Sequence, residues 1–446
     1  MSESRMQAVL RPFEENRAYM EDRIQSGIEQ NRKGWATLEV TDKDGNPVTD
    51  ATVEVKQLNH EYRFGANLFM LDEMETPEKN ENYRKKFAEI FNYGTIPFYW
   101  KDNEPEQDKP RYTLDSPRIY RRPNPELCLQ YCAENGIEPK AHCLVYEAFR
   151  PDWVPDDNVP EMKRLYTKRM QELSERFASR IPLWEVTNET LIDNDRWNTP
   201  LARTPDFVDW AFHTADSIFP GNRLLINETQ QCVWLPFNWS RSQFYLQVQG
   251  LLNRGARINN IGFQYHMFHR REKELENTRL YYDPTRLYNV LDTYAQFNLP
   301  MQITEMTIPC YSGDAEDEAV QAEILKNVYS IFFSHSAMDA IVYWNLVDGY
   351  AHGAKPGDMT AGENYYYGGM IRFDGSPKPG YLALKKLIHE TWHTETAVRT
   401  AQNGTAQFKG FYGDYEITIH ASEQNYSQKI LFTKGGNRSF KLSLPF

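Results

Sequence analysis

Residues 182–187 read PLWEVT, a short and largely apolar run that is typical of a strand buried on both faces of a parallel sheet. Seven similar runs follow or precede it, and amphipathic stretches such as YTKRMQELSERFASR at 166–180 lie between them. Eight strand–helix repeats over about residues 60–393 predict an α/β fold, a closed (β/α)8 TIM barrel rather than an open doubly wound sheet. The other predicted strands are RFGANL (63–68), FNYGTI (91–96), PKAHCLV (139–145), RLLIN (223–227), NIGFQYH (260–266), MQIT (301–304) and AIVYWNL (340–346).

The N-terminal end of the chain has a different pattern. Residues 8–32 are predicted to be helical. Residues 35–41 and 52–58 alternate apolar and polar side chains, and the turn sequence DGNP at 44–47 lies between them. This arrangement predicts a β-hairpin.

The C-terminal end, from about Val398, contains short alternating strands separated by Gly and Asn clusters: YEITIHA, QKILFT and SFKLSL. Because a two-stranded hairpin is only marginally stable alone, we expect both chain ends to pack together as one small accessory β-sandwich. The predicted division is 1–59 for the N-terminal helix and hairpin, 60–393 for the barrel, and 394–446 for the C-terminal strands that pack with the hairpin.

Composition excludes several classes of protein. The chain has 446 residues, of which 40% are hydrophobic and 25% charged, so it is neither disordered nor fibrous. Its apolar runs are too short to span a membrane. A formal net charge of −12 without a basic stripe disfavours nucleic acid and anionic membranes as partners. Aromatic residues make up 14%, which suits either a large core or stacking on sugar rings.

The cysteines and the N-terminus bear on the compartment. Five cysteines are present, and no paired CxxC or Cys/His cluster accompanies them, so we expect reduced thiols and no metal site. A secretory signal has a basic segment that leads into an apolar one, and the first 25 residues contain no such pattern. Both observations favour the cytoplasm, and an export signal that was trimmed away remains an open alternative.

Familiar cofactor and nucleophile motifs are missing from the sequence. No GxGxxG or GxxxxGK[ST] loop follows a predicted strand, which argues against a nucleotide cofactor. There is no GxSxG elbow for an esterase and no HExxH for a zinc protease. We therefore expect chemistry that needs no cofactor.

Polar residues at the carboxyl ends of the predicted strands are the candidate site, because active sites of such barrels lie at that face. Glu189 follows the fourth strand and Glu305 ends the seventh, so the two carboxylates are expected to meet across the barrel mouth. Such a pair is what glycosidic cleavage requires. Each Glu alone is more typical of a helix N-terminus. Asn227-Glu228 after the fifth strand repeats the Asn-Glu dipeptide, and the pattern by itself does not reject Glu228.

Several segments resemble family-10 glycoside hydrolases, the endo-β-1,4-xylanases. WEVTNET (184–190) looks like the acid/base segment of that family, and ITEMTIP (303–309) looks like its nucleophile segment. FGANL, AHCLVYEAFRPDWV, RLLINE, IGFQYHMF, VYWNLVDGY and RFDGSPKPGYLALKKL follow in the family's order. The resemblance spans roughly residues 60–390 and leaves out both chain ends. It also disfavours Glu228 as a catalytic group.

The resemblance implies a retaining mechanism without a cofactor. Glu305 would be the nucleophile and Glu189 the acid that later becomes the base, with the carboxyl groups about 5–5.5 Å apart. Desolvation and the charge of Glu305 would keep a proton on Glu189. The implied substrate-binding residues are Asn188 at the sugar 2-hydroxyl, His142 at the sugar, His266 as the partner of Glu305, Gln264 beside it, and Trp344 as the floor.

The sequence also departs from the family. In TIPFYWKDNEPEQ (95–107), Trp100 and the EPEQ run are kept, but Ile96 and Pro97 stand near the place of a Glu-Asn pair that binds the glycone sugar. Tyr99 stands where a Lys is usual, and Lys101 lies two positions later. We count Trp100 among the expected substrate-binding residues.

Two further departures from the family affect the walls of the expected substrate-binding site. Tyr146 and Glu147 replace a Trp-His pair, and Tyr146 is expected to contact substrate. The family's second Trp after the eighth strand is missing; His352 lies near its place, in an enlarged loop. Because hydroxyl-reading contacts dominate discrimination between sugars, we expect a substrate other than ordinary xylan.

The sequence therefore favours a retaining β-glycoside hydrolase that acts on xylan-derived oligosaccharides or a related plant β-glycan. One alternative is a hydrolase for a different glycone, such as an arabinoside, galactoside or glucoside. Another is a catalytically inactive carbohydrate-binding barrel, and a third is a structural scaffold assembled through the β-sandwich. The paired Glu residues argue against the last two, because binding or assembly alone does not need an acid beside a nucleophile.

Overall fold

The structure is a computed structural model that describes residues 4–192, 199–421 and 424–445. The described chain begins with two helices, α1 (Arg5–Glu15) and α2 (Arg17–Asn31), followed by two strands, β1 (Lys33–Thr41) and β2 (Thr52–His60). The single helix predicted over 8–32 is thus divided at Asn16. Phe13 of α1 and Met20 of α2 are buried in the core of the following barrel, so these helices belong to it and not to the β-sandwich.

Eight parallel strands close into a barrel in the order of the chain, with the last strand pairing with the first. All eight predicted strands are confirmed, with ends shifted by a few residues, and so is the TIM-barrel prediction. The barrel strands are β3 (Arg63–Asn67), β4 (Tyr93–Pro97), β5 (Glu138–His142), β6 (Leu183–Asn188), β7 (Arg223–Glu228), β8 (Asn260–His266), β9 (Met301–Thr307) and β10 (Met338–Tyr343).

Helices surround the barrel, and their ends follow local sequence signals. Helix α5, for example, begins with Pro125 after Asn124, whose side chain accepts a hydrogen bond from the backbone N–H of Leu127, and it stops at Gly136 in the left-handed region. The helices after β3 are α3 (Pro77–Ile90), α4 (Trp100–Asn103), α5 (Pro125–Asn135), α6 (Val159–Phe177), α7 (Phe207–Ile218), α8 (Gln230–Val233), α9 (Gln243–Asn253), α10 (Glu274–Thr278), α11 (Pro284–Tyr294), α12 (Ala315–Ser334) and α13 (Pro379–Lys386).

Both chain ends form a two-sheet β-sandwich, as predicted. One sheet has the order β12-β1-β15 and the other β11-β2-β13-β14. Leu38, Val53, Ile417 and Phe432 are among the residues buried between the sheets. The C-terminal strands are β11 (Glu395–Arg399), β12 (Thr405–Phe411), β13 (Gly413–Ala421), β14 (Gln424–Phe432) and β15 (Ser439–Ser443).

The predicted N-terminal hairpin is wrong. β1 pairs with β12 and β15, whereas β2 pairs with β11 and β13, so the two strands lie in opposite sheets. The turn itself exists: Gly45 has a φ of 82°, and Asp42 Oδ1 accepts hydrogen bonds from the backbone of Asp44 and Asn46. Alternation of apolar residues fits a strand in either sheet, and pairing with strands more than 300 residues later decided between them.

Within the described ranges, no helix is both long and apolar enough to cross a bilayer. All five cysteines are free thiols, as expected, and four of them are buried. The proposed division at residues 59 and 393 stays a prediction, because the N-terminal helices pack on the barrel while the strands beside them join the sandwich.

We expect Leu38→Ala to lower the free energy of unfolding by about 2–5 kcal/mol, because Leu38 is fully buried between the two sheets and truncation leaves a cavity. Leu431→Ala is the matched control, since Leu431 is 60% exposed on the same sandwich, and it should cost less than about 0.5 kcal/mol. Urea unfolding followed by circular dichroism measures both. Equal losses would contradict the assignment of this core.

Candidate active site

A cavity of about 280 Å³ opens at the carboxyl ends of the barrel strands. It collects side chains from several strand ends and from the loops that follow them, which is where barrels of this kind carry their chemistry. Its lining includes Phe69, Tyr99, Arg121, Arg122, His142, Tyr146, Phe149, Asn188, Glu189, Gln264, His266, Phe268, Glu305, Trp344, His352 and Glu363.

The structure brings the two predicted carboxylates together. Gln264 Nε2 donates hydrogen bonds to Glu189 Oε1 at 2.8 Å and to Glu305 Oε1 at 3.1 Å. The two carboxylate oxygens are therefore at most 5.9 Å apart, the sum of these two distances. A single amide nitrogen on β8 thus holds the end of β6 and the end of β9 at a fixed, short separation.

Glu305 is surrounded by hydrogen-bond donors. Its Oε1 accepts from Asn227 Nδ2 at 3.0 Å as well as from Gln264, and its Oε2 lies 3.1 Å from His266 Nε2. The other ring nitrogen of His266 lies 3.1 Å from the hydroxyl of Thr307. Hydrogen bonds of this number hold the Glu305 carboxylate in a fixed orientation.

Glu189 has a different environment. It follows β6 with a φ of 55°, in the left-handed region that few non-glycine residues adopt. Its Oε2 accepts a hydrogen bond from the Tyr146 hydroxyl at 2.6 Å. Burial, and then the negative charge of Glu305, raise the pKa of Glu189 above its ordinary value, while the donors Tyr146 and Gln264 oppose the shift. One carboxyl group of the pair is therefore biased toward holding a proton.

Asn188 lies directly beside this pair. Its Oδ1 accepts from Asn227 Nδ2 at 2.8 Å and from Gln264 Nε2 at 3.3 Å. In the part of the chain that the structure describes, its Nδ2 donates to no protein acceptor, so this amide N–H group is available at the cavity wall. The two hydrogen bonds fix the side-chain oxygen of Asn188, and its side-chain nitrogen can donate to a hydroxyl group of a ligand.

Glu228, at the second Asn-Glu dipeptide, does not line the cavity. It is fully buried, and its Oε1 accepts hydrogen bonds from the backbone N–H groups of Thr190 at 2.5 Å and Leu191 at 3.0 Å. Burial raises the pKa of Glu228 to about 7. This carboxyl group holds the turn that carries Glu189.

A buried charged cluster supports the base of the cavity. Lys140 Nζ lies 2.8 Å from Glu185, and His142 Nδ1 lies 2.7 Å from the same carboxylate. Although burial opposes it, His142 and Lys140 lower the pKa of Glu185 to about 2. The other nitrogen of His142 lies 2.9 Å from the Tyr99 hydroxyl. His142 is thus oriented from both sides and lines the cavity with its ring.

The same cluster contains a possible metal-binding group among the described residues. Ligand atoms of His142, Cys143 and Glu185 lie within 4.8 Å of one another. A cation there would face the Lys140 ammonium group, which already balances the Glu185 carboxylate. Burial also raises the pKa of the Cys143 thiol, which keeps it protonated. These residues do not fit a metal ion, and chemistry without a cofactor stays a prediction.

Aromatic rings form one side of the cavity. Trp344 packs on Phe69 with ring centroids 5.0 Å apart and on His142 at 5.3 Å. Tyr99 packs on Phe149 at 4.3 Å. The predicted floor residue Trp344 therefore lies beside the two carboxylates, in a setting where sugar faces can stack.

One expected contact is not made, because Trp100 does not line the cavity. Trp100 is 4% exposed, and its indole N–H donates to Glu104 at 2.8 Å, so it packs behind the cavity against Trp153 and Tyr166. Lys101 pairs with Asp152 at 2.7 Å and does not line the cavity either. Helix α4 turns both side chains away, which corrects the expectation that Trp100 contacts substrate.

Sequence reasoning missed some wall residues. Phe69, Arg121, Arg122, Phe149 and Glu363 line the cavity, but they lie between the barrel strands, where strand periodicity did not single them out. Of these residues, only Phe149 lies within a segment that carries the family resemblance, AHCLVYEAFRPDWV. The paired arginines in the sequence RR at 121–122 were the available signal. Tyr146 lines the cavity and donates a hydrogen bond to Glu189, and its contact with substrate stays a prediction.

Comparisons with known proteins give the family. The model of glycosyl hydrolase family 10 matches residues 81–386. The chain is 25% identical over 409 residues to anti-sigma-I factor RsgI6 of Acetivibrio thermocellus, covering 89% of this chain and 46% of that protein. It is 23% identical over 287 residues to endo-1,4-beta-xylanase B of Neocallimastix patriciarum, covering 62% and 29%. The chain thus spans less than half the length of these curated relatives.

Solved structures show the same fold. Xylanase 10B from Thermotoga petrophila in complex with xylobiose has a TM-score of 0.58 at 21% identity, covering 74% of this chain and 95% of that one. Native xylanase 10B from Thermotoga maritima has a TM-score of 0.57 at 22% identity, covering 74% and 96%. Because the family model matches more than half of its residues, this chain belongs to glycosyl hydrolase family 10.

Proposed function

We propose that this chain is a retaining glycoside hydrolase that cleaves β-linked oligosaccharides derived from xylan or a related plant glycan. The observation that carries the proposal is that Glu189 and Glu305 both accept a hydrogen bond from Gln264 Nε2, which places two of their oxygens no more than 5.9 Å apart. This separation supports a retaining mechanism, for which the carboxyl groups lie about 5–5.5 Å apart, over an inverting one, which needs about 6.5–9.5 Å to admit a water.

In the first step, a Glu305 oxygen attacks the anomeric carbon while Glu189 gives its proton to the leaving oxygen. The bond between that carbon and the aglycone breaks as the glycosyl ester forms. The raised pKa of Glu189 supports its role as acid, and the donors around Glu305 support its role as nucleophile. Once the ester forms, the charge on Glu305 is gone, which favours the ionised Glu189.

In the second step, Glu189 takes a proton from water as the water attacks the anomeric carbon, and the bond between that carbon and the Glu305 oxygen breaks. This releases the sugar and restores both carboxyl groups. The N–H group of Asn188 is available for the sugar 2-hydroxyl, and Trp344 provides a ring beside the reacting carbon. These binding roles are part of the proposal. The mechanism uses side chains alone and needs no metal.

We expect Glu189→Gln and Glu305→Gln each to reduce kcat by about a thousandfold or more on an unactivated β-linked oligosaccharide, because each change removes a group that acts in the transition state. The control is Glu147→Gln. Glu147 is a buried carboxyl group that accepts a hydrogen bond from Tyr166 at 2.6 Å and lies outside the cavity lining. Activity similar to wild type in either cavity variant would overturn the proposal.

A 2-deoxy-2-fluoro-β-xylobioside with a good leaving group separates catalysis from binding. We expect one fluoroglycosyl mass increment on the peptide that contains Glu305. A second candidate function is a non-catalytic carbohydrate-binding barrel; one relative, which aligns with 89% of this chain, is named as an anti-sigma-I factor and not as a hydrolase. That candidate predicts binding without the mass increment. A panel of aryl xylosides, arabinosides, galactosides and glucosides distinguishes the possible glycones.

The pH dependence of the reaction tests the role of Tyr146. Its hydroxyl donates to the Glu189 carboxylate and so favours the ionised form. Tyr146→Phe should raise the pKa of Glu189, keep the acid protonated to higher pH, and move the alkaline limb of kcat/KM upward. Tyr99→Phe is the control, because it removes a hydroxyl from the same cavity that contacts His142 instead. An alkaline limb that stays in place or moves downward in Tyr146→Phe would contradict this role.

The five free thiols support a reducing compartment, and we propose that the protein acts in the cytoplasm on oligosaccharides taken up by the cell. Fractionation of the source cells should place the protein with cytoplasmic markers. Recovery in the culture medium or the cell envelope would contradict this proposal.

A further inference from the structure

Arg121 is a buried cation at the cavity wall without a partner of opposite charge. Its side chain is 7% exposed and lines the same cavity as Glu305. Among the described residues, its Nε has no hydrogen-bond acceptor and no carboxylate lies within ion-pair distance. Its one close contact of another kind is with the Phe69 ring, 5.9 Å from the guanidinium carbon.

The guanidinium group of the neighbouring residue Arg122, in contrast, is paired with a carboxylate and packed on an aromatic ring. Arg122 Nε donates to Asp102 at 2.6 Å, and its Nη1 donates to the backbone carbonyl of Arg121 at 2.9 Å. Its guanidinium carbon lies 4.2 Å from the centre of the Tyr99 ring. Arg122 is thus neutralised and packed by the protein, whereas Arg121 is not.

The backbone also holds Arg121 in an unfavourable conformation. Its φ is 64°, in the left-handed region that costs free energy for a residue with a side chain. Strain of this kind persists where the surrounding structure fixes it, and it is concentrated at functional sites.

The charged groups near Arg121, which are Arg122 and Glu363, do not form an ion pair with it. Burial and the nearby positive charge of Arg122 lower the pKa of Arg121, and the negative charge of Glu363, which lines the same cavity, opposes this shift. Arginine remains charged even so. Glu363 Oε2 accepts a hydrogen bond from Asn345 Nδ2 at 2.8 Å, which holds it outside ion-pair distance of Arg121. A buried charge without a partner is costly, so a ligand that supplies the partner gains correspondingly.

We propose that Arg121 binds a negatively charged group on a sugar of the substrate, either the carboxylate of a uronic acid or a sulfate ester. Glu363, which lines the same cavity, accepts hydrogen bonds from hydroxyl groups of the same sugar. The planar guanidinium fork matches either anion with two parallel N–H···O bonds. This inference rests on the proposed glycoside hydrolase function and names the substrate class of the same cavity.

Direct binding tests this proposal without turnover. Three ligands with a sulfur linkage that resists hydrolysis serve as probes: methyl 1-thio-β-glucuronoside, methyl 1-thio-β-glucoside, and the 6-sulfate of the latter. Ligand-observed NMR titration of the wild-type protein should give at least a tenfold lower Kd for one of the two anionic ligands than for the neutral glucoside. Which anion is preferred identifies the carboxylate or the sulfate as the source of the charge.

Arg121→Gln should remove this preference, raising the Kd of the anionic ligand about 10- to 100-fold and leaving that of the neutral glucoside unchanged. Arg121→Lys should keep part of the preference, because the charge remains but the two-pronged geometry is lost. Arg118→Gln is the control: Arg118 pairs with Glu73 at 2.8 Å, outside the cavity lining, and its replacement should change neither Kd.

A neutral ligand that binds wild type as tightly as both anions would overturn the proposal, and so would a preference for anions that survives Arg121→Gln. These outcomes are separate from a failure of the hydrolase proposal. That failure would appear as full activity of the Glu305→Gln variant or as absence of the fluoroglycosyl adduct, while the binding preference would still be measurable.

Discussion

The hydrogen bonds from Gln264 Nε2 to the two carboxylates are the interaction on which the rest of the cavity depends. Two carboxyl groups at this distance repel each other when both are ionised. The shared amide donor and the raised pKa of Glu189 together make the close arrangement tolerable. The register between β8 and β9 places Gln264 opposite Glu305, after an irregularity that follows Phe263. Without that pairing, the amide would not reach both groups.

Behind the carboxylates, the barrel interior carries its own buried charges. Glu185 is fixed between Lys140 and His142, and its Oε1 also accepts a hydrogen bond from Asn227 Nδ2 at 3.3 Å. Asn227 contacts Asn188 and Glu305 through the same nitrogen, so the cluster below the cavity is continuous with the reacting groups above it. Removing one charged member of such a cluster leaves a buried charge unpaired, so its members depend on one another.

The walls of the cavity are formed by loop residues, whereas its base is formed by residues of the barrel strands. Tyr99, Tyr146 and Arg121 come from loops, and each meets the cavity through contacts between segments far apart in the chain. Tyr146 donates a hydrogen bond to Glu189, whereas among the described residues the buried Nε of Arg121 has no hydrogen-bond acceptor. In the proposed mechanism, the base would hold the two carboxylates that cleave the bond, and the walls would select the sugar. This separation agrees with the general behaviour of barrels, in which loops vary over a constant scaffold.

Local patterns were enough to predict the eight barrel strands and the positions of Glu189 and Glu305, because burial of both sheet faces and the ends of strands leave direct signals in the order of residues. They were not enough for the pairing of β1 and β2, since alternation states that a segment is a strand but not which sheet it joins. The orientation of Trp100, the bond from Tyr146 to Glu189 and the unpaired charge of Arg121 depend on how loops pack against distant strands. Only the tertiary structure decided these features, because contacts between residues far apart in sequence fix the direction of a loop side chain.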